Sequence, residues 1–249
     1  MKHLKISAIV VSAAFAASIA AAQQAAPAPA AAPAPAAAPA PVLPKDKPDR
    51  SYSADYAGQK ATLSLVDKTN NSENPVTLKS AEGKEFVFSD ATGGELSVAK
   101  NTKAYRFRVK ADNKLLNAAR EAANESDWDA AVDYMRPVVY PIAPLAVLSD
   151  QVFPDGNAMI EFFLTSLANA GRLKEAAAYV ALLPIQDASN SIRGAALGIA
   201  RSLAAQRQTD EAEKIVERIR LNSASAETLS QIMEVLDQMR NAGDYKRCV

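Results

Sequence analysis

Two periods divide the chain. Between Ala61 and Lys110, apolar and polar residues alternate in five short runs: "ATLSLV", "PVTLK", "KEFVFSD", "ELSVAK" and "KAYRFRVK". Pieces rich in Asn, Asp and Gly separate them: "DKTNNSENP", "SAEG", "DATGG" and "KNT". Successive side chains on a strand point to opposite faces, so a period of two with such punctuation predicts short antiparallel strands. They are expected to form a small sheet or partly closed barrel over residues 51–111. Phe86, Phe88, Leu96, Val98, Tyr105, Phe107 and Val109 fall on its inner face. Arg106, Arg108 and Lys110 share the other face, either as its solvated side or as a stripe that attracts an anion.

From Asp112 the period becomes helical. "DNKLLNAAREAANESDWDAAVDYMRP" reads as two helices around a tight turn at Glu125–Ser126, with Asp112 and Asp127 placed as N-caps. The plan returns in "DGNAMIEFFLTSLANAGRLKEAAAYVALLP" and in "SIRGAALGIARSLAAQRQTDEAEKIVERIR", and starts again in "SAETLSQIMEVLDQMRNAGDYKRC". Aligning the turns "SDWDAA", "GRLKEA", "RQTDEA" and "GDYKRC" puts Trp128, Leu173, Thr209 and Tyr245 in one column, at spacings of 45, 36 and 36 residues. Three residues on come Ala131, Ala176, Ala212 and Cys248, where a small side chain lets the second helix approach the first. Cys248, the only cysteine, is thus expected as a small buried residue, the alternative being an exposed thiol for intermolecular pairing. The expected fold class is α+β: a small antiparallel β domain, then over residues 112–249 an α-solenoid of about three and a half helical hairpins.

This register resembles the tetratricopeptide repeat, a helical hairpin whose turn reads Gly-x-aromatic-x-x-Ala. "AGRLKEA" and "AGDYKRC" match it through Gly171 and Gly243, whereas Ser126 and Arg207 replace the glycine and Thr209 the aromatic residue. The resemblance implies that first-helix side chains line a groove for a protein or peptide. It places there Asn113, Leu116, Arg120 and Asn124 of the first unit, and Glu161, Thr165 and Asn169 of the second. Leu197 and Arg201 follow from the third, and Asp237, Arg240 and Asn241 from the last. Arg120 and Arg201 share a column suited to carboxylate recognition. Asn124, Asn169 and Asn241 share another, and either hydrogen-bond an extended backbone or terminate their helices.

The longer first interval lies in "RPVVYPIAPLAVLSDQVFPDG", Arg136 to Gly156. Prolines 137, 141, 144 and 154 predict that no continuous helix crosses it. It is either a connector packed over the stack or a lip of the binding surface, with Tyr140 and Phe153 as anchors.

The start of the chain changes the setting. "MKHLKISAIVVSAAFAASIAAAQQ" has lysines, an apolar run and small residues at its close, which reads as a secretory signal over residues 1–22, cleaved after Ala22. The alternative is a retained anchor, for which the Ala-rich run is short. Residues 23–50, with "AAPAPAAAPAPAAAPAPVLPKDKP", predict an extended tether without a core. The expected location is periplasmic or secreted, with no integral membrane segment after cleavage.

Removing Lys2 and Lys5 leaves 26 basic residues against 28 acidic ones, no excess of the kind that attracts nucleic acid. The single histidine, His3, goes with the signal, which removes Ser-His-Asp and Cys-His catalysis and histidine-bound zinc from consideration. No Gly-rich phosphate loop, metal cluster or nucleophile elbow is present. The acids, among them Asp129 and Glu175, read as capping and solubilising groups. The expectation is an exported, non-catalytic scaffold without cofactor that holds a protein or peptide of a cell-envelope assembly. The alternatives are a glycan-binding module using the β domain, or self-assembly through the unfinished last unit.

Overall fold

The chain's order of elements follows its change of period. A computed structural model describes residues 60–219 and 224–243. The expected signal, the tether, the first residues of the strand region, Tyr245 and Cys248 lie outside the described residues. Five strands come first: β1 (Thr62–Asp67), β2 (Glu73–Ser80), β3 (Glu85–Asp90), β4 (Glu95–Ala99) and β5 (Tyr105–Val109). Seven helices follow: α1 (Asn113–Asn124), α2 (Trp128–Ile142), α3 (Pro154–Asn169), α4 (Leu173–Leu182), α5 (Asn190–Ala205), α6 (Thr209–Glu217) and α7 (Ala226–Asn241). The layout is α+β with a helical C-terminal part.

The strands form one antiparallel sheet in the order β4-β3-β2-β1-β5, open between β4 and β5 and so not a barrel. Alternation puts Leu63, Leu65, Val76, Leu78, Phe86, Phe88, Val98 and Phe107 on one buried face. The register opposes Leu65 to Phe107 and Phe86 to Val98, and Phe88 stacks at 5.4 Å on Phe107. Leu96, Tyr105 and Val109 of the expected inner face are only half-buried. Burying each of the large side chains is worth roughly 1.5–3 kcal/mol before entropy is counted. Open edges invite pairing with other chains. Here β5 is covered: Phe107 N–H donates to Val152 O at 2.8 Å, tying the sheet to the connector before α3. The β4 edge is charged, with Glu95 paired to Lys79 at 2.8 Å.

The helices stack as hairpins: α1 on α2, α3 beside α2 and α5, α5 on α6, and α7 on α5. Asp112 and Asp127 cap α1 and α2, accepting from Lys114 N–H at 2.8 Å and Ala130 N–H at 3.0 Å. The turn register read from sequence recurs in the backbone. Ser126, Gly171, Arg207 and Gly243 all have positive φ, at 61°, 69°, 61° and 95°. A left-handed residue ends the first helix and frees the chain to reverse, which glycine does without strain. Trp128, Leu173 and Thr209 each begin the second helix, and Ala131, Ala176 and Ala212 are fully buried where the two helices meet. Sheet and helices share one continuous core.

No continuous helix crosses Arg136–Gly156, as the prolines predict, but two of them do not end their helix. Pro137 and Pro141 lie inside α2, and only Pro144, opening a 3-10 turn at Ala143–Val147, and Pro154, at the start of α3, stand at helix starts. An interior proline costs a helix about 3 kcal/mol or more. Eight buried residues of α2, Val138, Val139 and Ile142 among them, outweigh that cost. Spaced four apart, Pro137 and Pro141 also share one helix face, which borders Thr62 and Val109 of the sheet. Tertiary packing here overrides local propensity.

Candidate functional site

The face formed by the first helices carries two clefts. In the first, α1 contributes Leu116 and Arg120, one turn apart, and α2 contributes Met135. The N-terminal half of α3 supplies Asp155, Ala158, Met159 and Phe162, around a space of about 290 Å³. Its walls are apolar and its rim carries one cation and one anion. In the second cleft, of about 260 Å³, Leu197 and Arg201 of α5 repeat the spacing of Leu116 and Arg120. Gly194 and Gly198 add no side chain to the rest of its α5 wall, and Gln231 and Glu234 of α7 close it.

The two arginines of the shared column are not equivalent. Arg201 bonds Glu234 at 2.8 Å, with both side chains more than half exposed. The ion pairs of the described residues use Arg108, Arg136, Arg172, Arg201 and Arg240, and Arg120 is in none of them. Met233, in the same column as Leu116 and Leu197, is 59% exposed on α7, while Glu161 holds that column in the second unit.

The other expected site residues are dispersed. Asn113 is exposed at the start of α1, and Glu161 and Thr165 are exposed on α3 outside both clefts. Asn124, Asn169 and Asn241 are exposed final residues of α1, α3 and α7, the position of a helix terminator. Asp237 pairs with Arg240 at 2.9 Å along α7. Phe153 is no surface anchor: it is fully buried beneath Gly156, because the connector folds inward over the sheet edge. Tyr140 is half-buried in an aromatic cluster, its ring 4.9 Å from Tyr179 and 6.0 Å from Phe163.

Sequence reading missed a charge network between α2 and the start of α4. Arg136 donates to Glu175 through Nε at 2.6 Å and Nη2 at 3.2 Å, and pairs with Asp133 at 2.9 Å. Arg172 reaches Asp133 at 3.1 Å and Glu175 at 2.6 Å. Burial opposes the charge of Arg136, but Glu175 and then Asp133 outweigh it, so its pKa lies above the usual arginine value. Burial, and then Glu175, raise the Tyr140 phenol. The signal was available in the i,i+3 spacings Asp133–Arg136 and Arg172–Glu175, although only the fold shows that the two pairs meet. The network locks neighbouring hairpins together and faces no cleft described above.

No family model, curated protein or solved structure matches the chain. The first cleft has apolar walls with Arg120 and Asp155 at its rim, whereas the second is mainly polar, lined by Arg201, Gln231 and Glu234 beside Leu197.

Proposed function

We propose that the chain is an exported, non-catalytic scaffold that holds a peptide segment of a cell-envelope protein along its first helices. The recurrence of Leu116–Arg120 in the first unit as Leu197–Arg201 in the third, each pair lining a cleft, carries this reading, with Glu161 and Thr165 at those positions in the second unit. The occupant is a segment that presents an apolar side chain beside a carboxylate. Leu116, Met135, Met159 and Phe162 would take the apolar group, and Arg120 the carboxylate in bidentate form. Methionines suit such a wall because their side chains adapt to more than one shape. The resemblance to tetratricopeptide repeats supports the choice of face, and the signal-like N-terminus supports the location. Neither nucleic acid nor a cofactor enters this reading.

The test is photo-crosslinking from a benzoylphenylalanine placed at Ala158, an exposed position in the first cleft, with Lys174 on α4 as the control position. The full chain is irradiated in envelope extract. Adducts from position 158 should map to one segment with adjoining apolar and acidic residues, and Arg120→Glu should abolish them. Equal adducts from both positions, or adducts indifferent to Arg120→Glu, would overturn the reading.

A further inference from the structure

A separate cavity of about 620 Å³ opens where the sheet meets the helices, and it is cationic. Lys68 comes from the turn after β1, Lys100 and Lys103 from the turn between β4 and β5, and Arg193 from the first turn of α5. Against these four stands one lining carboxylate, Asp187. The ion pairs of the described residues use none of the four cations. Two of them are held in place. Lys100 Nζ donates to Ala81 O at 2.6 Å and sits 5.1 Å from the centre of the Phe86 ring. Arg193 Nη2 donates to Asn190 Oδ1 at 2.8 Å, while its Nε is enclosed with no partner among the described residues.

Positive charge gathered from three separate segments around one concavity focuses the field there and draws in anions. The ligand class follows from the lining. Among the described residues no aromatic side chain borders the cavity, so they offer no platform for a base or a sugar ring. Three lysines act as point charges with rotatable donors, which suits phosphate oxygens, whereas planar carboxylate recognition favours paired arginine forks. We propose that this cavity binds a compact ligand carrying two or more phosphate groups. The expected stripe of Arg106, Arg108 and Lys110 is a poorer candidate, because Arg108 already pairs with Glu73 at 3.6 Å.

The probe is pyrophosphate, titrated calorimetrically into the full chain at low salt, with citrate as the carboxylate comparator. Lys68 and Lys103 are exposed, so the Lys68→Glu/Lys103→Glu double variant should keep the fold, verified by an unchanged thermal midpoint. Lys114→Glu/Lys174→Glu, at exposed helix positions, carries the same charge change elsewhere. One pyrophosphate should bind per chain, and the cavity variant should lose about tenfold or more in affinity while the control keeps it. Citrate should bind at least about tenfold more weakly. Absence of saturable pyrophosphate binding, or equal loss in both variants, would overturn the site. Citrate binding as tight as pyrophosphate would overturn the phosphate assignment.

Discussion

The hydroxyl of Tyr179 donates to the carbonyl of Val139 at 3.0 Å, joining α4 to the proline-bearing end of α2. Ala143 N–H turns to Tyr140 O, as in a 3-10 turn, so it leaves the Val139 carbonyl to the phenol. Tyr179 is fully buried, and its ring lies 4.9 Å from those of both Tyr140 and Phe163. Burial, and then Tyr140, push its pKa well above the usual tyrosine value, so it remains a neutral donor through the physiological range. Tyr179→Phe keeps the ring and strips the donor, stranding a buried acceptor. Stability should fall by about 1–3 kcal/mol, read from the urea midpoint. A loss near zero would mean that Val139 O finds another donor.

Gly156 is fixed by its neighbour. A Cβ there would stand 2.0 Å from the Phe153 ring, which is itself fully buried. Gly156→Ala should therefore cost about 1–3 kcal/mol through displaced packing. Gly198 on α5 has nothing within 4 Å of such an atom. Gly198→Ala should instead stabilise by about 0.5–1 kcal/mol, since alanine costs a helix interior less entropy. Opposite signs in thermal unfolding would separate packing from propensity, and a shared sign would contradict the assignment.

What could be read in advance depended on whether local pattern or distant packing decides an element. Alternation located all five strands, because each buries one face against a common core. The turn columns located the hairpins, since a left-handed residue and a buried alanine recur at fixed offsets. The prolines rightly excluded a continuous helix across Arg136–Gly156, but a local rule could not show α2 running through Pro137 and Pro141, where Val138, Val139 and Ile142 are buried. Phe153 was misread for a similar reason: an aromatic residue among prolines resembles a surface anchor until the connector is seen folding under Gly156. The groove column was only partly legible. Leu116 and Arg120 do share a cleft, but no periodicity could show that Arg201 meets Glu234 across two helices. The cationic cavity had no signal in the sequence, because its charges come from three segments far apart in the chain.

The turns make a prediction about non-glycine residues held at positive φ. Ser126 and Arg207 both have φ of 61°, where a Cβ crowds the backbone. Both side chains are exposed, so little packing is at stake. Ser126→Gly and Arg207→Gly should each stabilise the fold by about 0.5–1 kcal/mol, the relieved strain exceeding the entropy that glycine brings to the unfolded chain. The turns lie in different hairpins, so the two gains should add within about 0.5 kcal/mol in the double variant. A loss of stability in either single variant would show that the side chain does more than tolerate its turn.

The Arg136–Glu175 pair tests whether the hairpins are coupled by charge or by apolar contact alone. Their side chains are only 16% and 20% exposed, and two nitrogens of Arg136 reach both carboxylate oxygens of Glu175. Two parallel, shielded hydrogen bonds of this kind are stronger than a surface pair and less screened by salt. A double-mutant cycle with Arg136→Met and Glu175→Gln should give a coupling of about 1–3 kcal/mol, largely preserved in high salt. Asp133 and Arg172 belong to the same network, so each single change will cost more than the coupling itself. The matching cycle at Arg201 and Glu234, exposed by 55% and 52%, should give about 0–1 kcal/mol and vanish with added salt. A coupling at Arg136–Glu175 as small as the surface pair's would leave the hairpins held by their alanine and aromatic contacts, with the network serving only to keep buried charge satisfied.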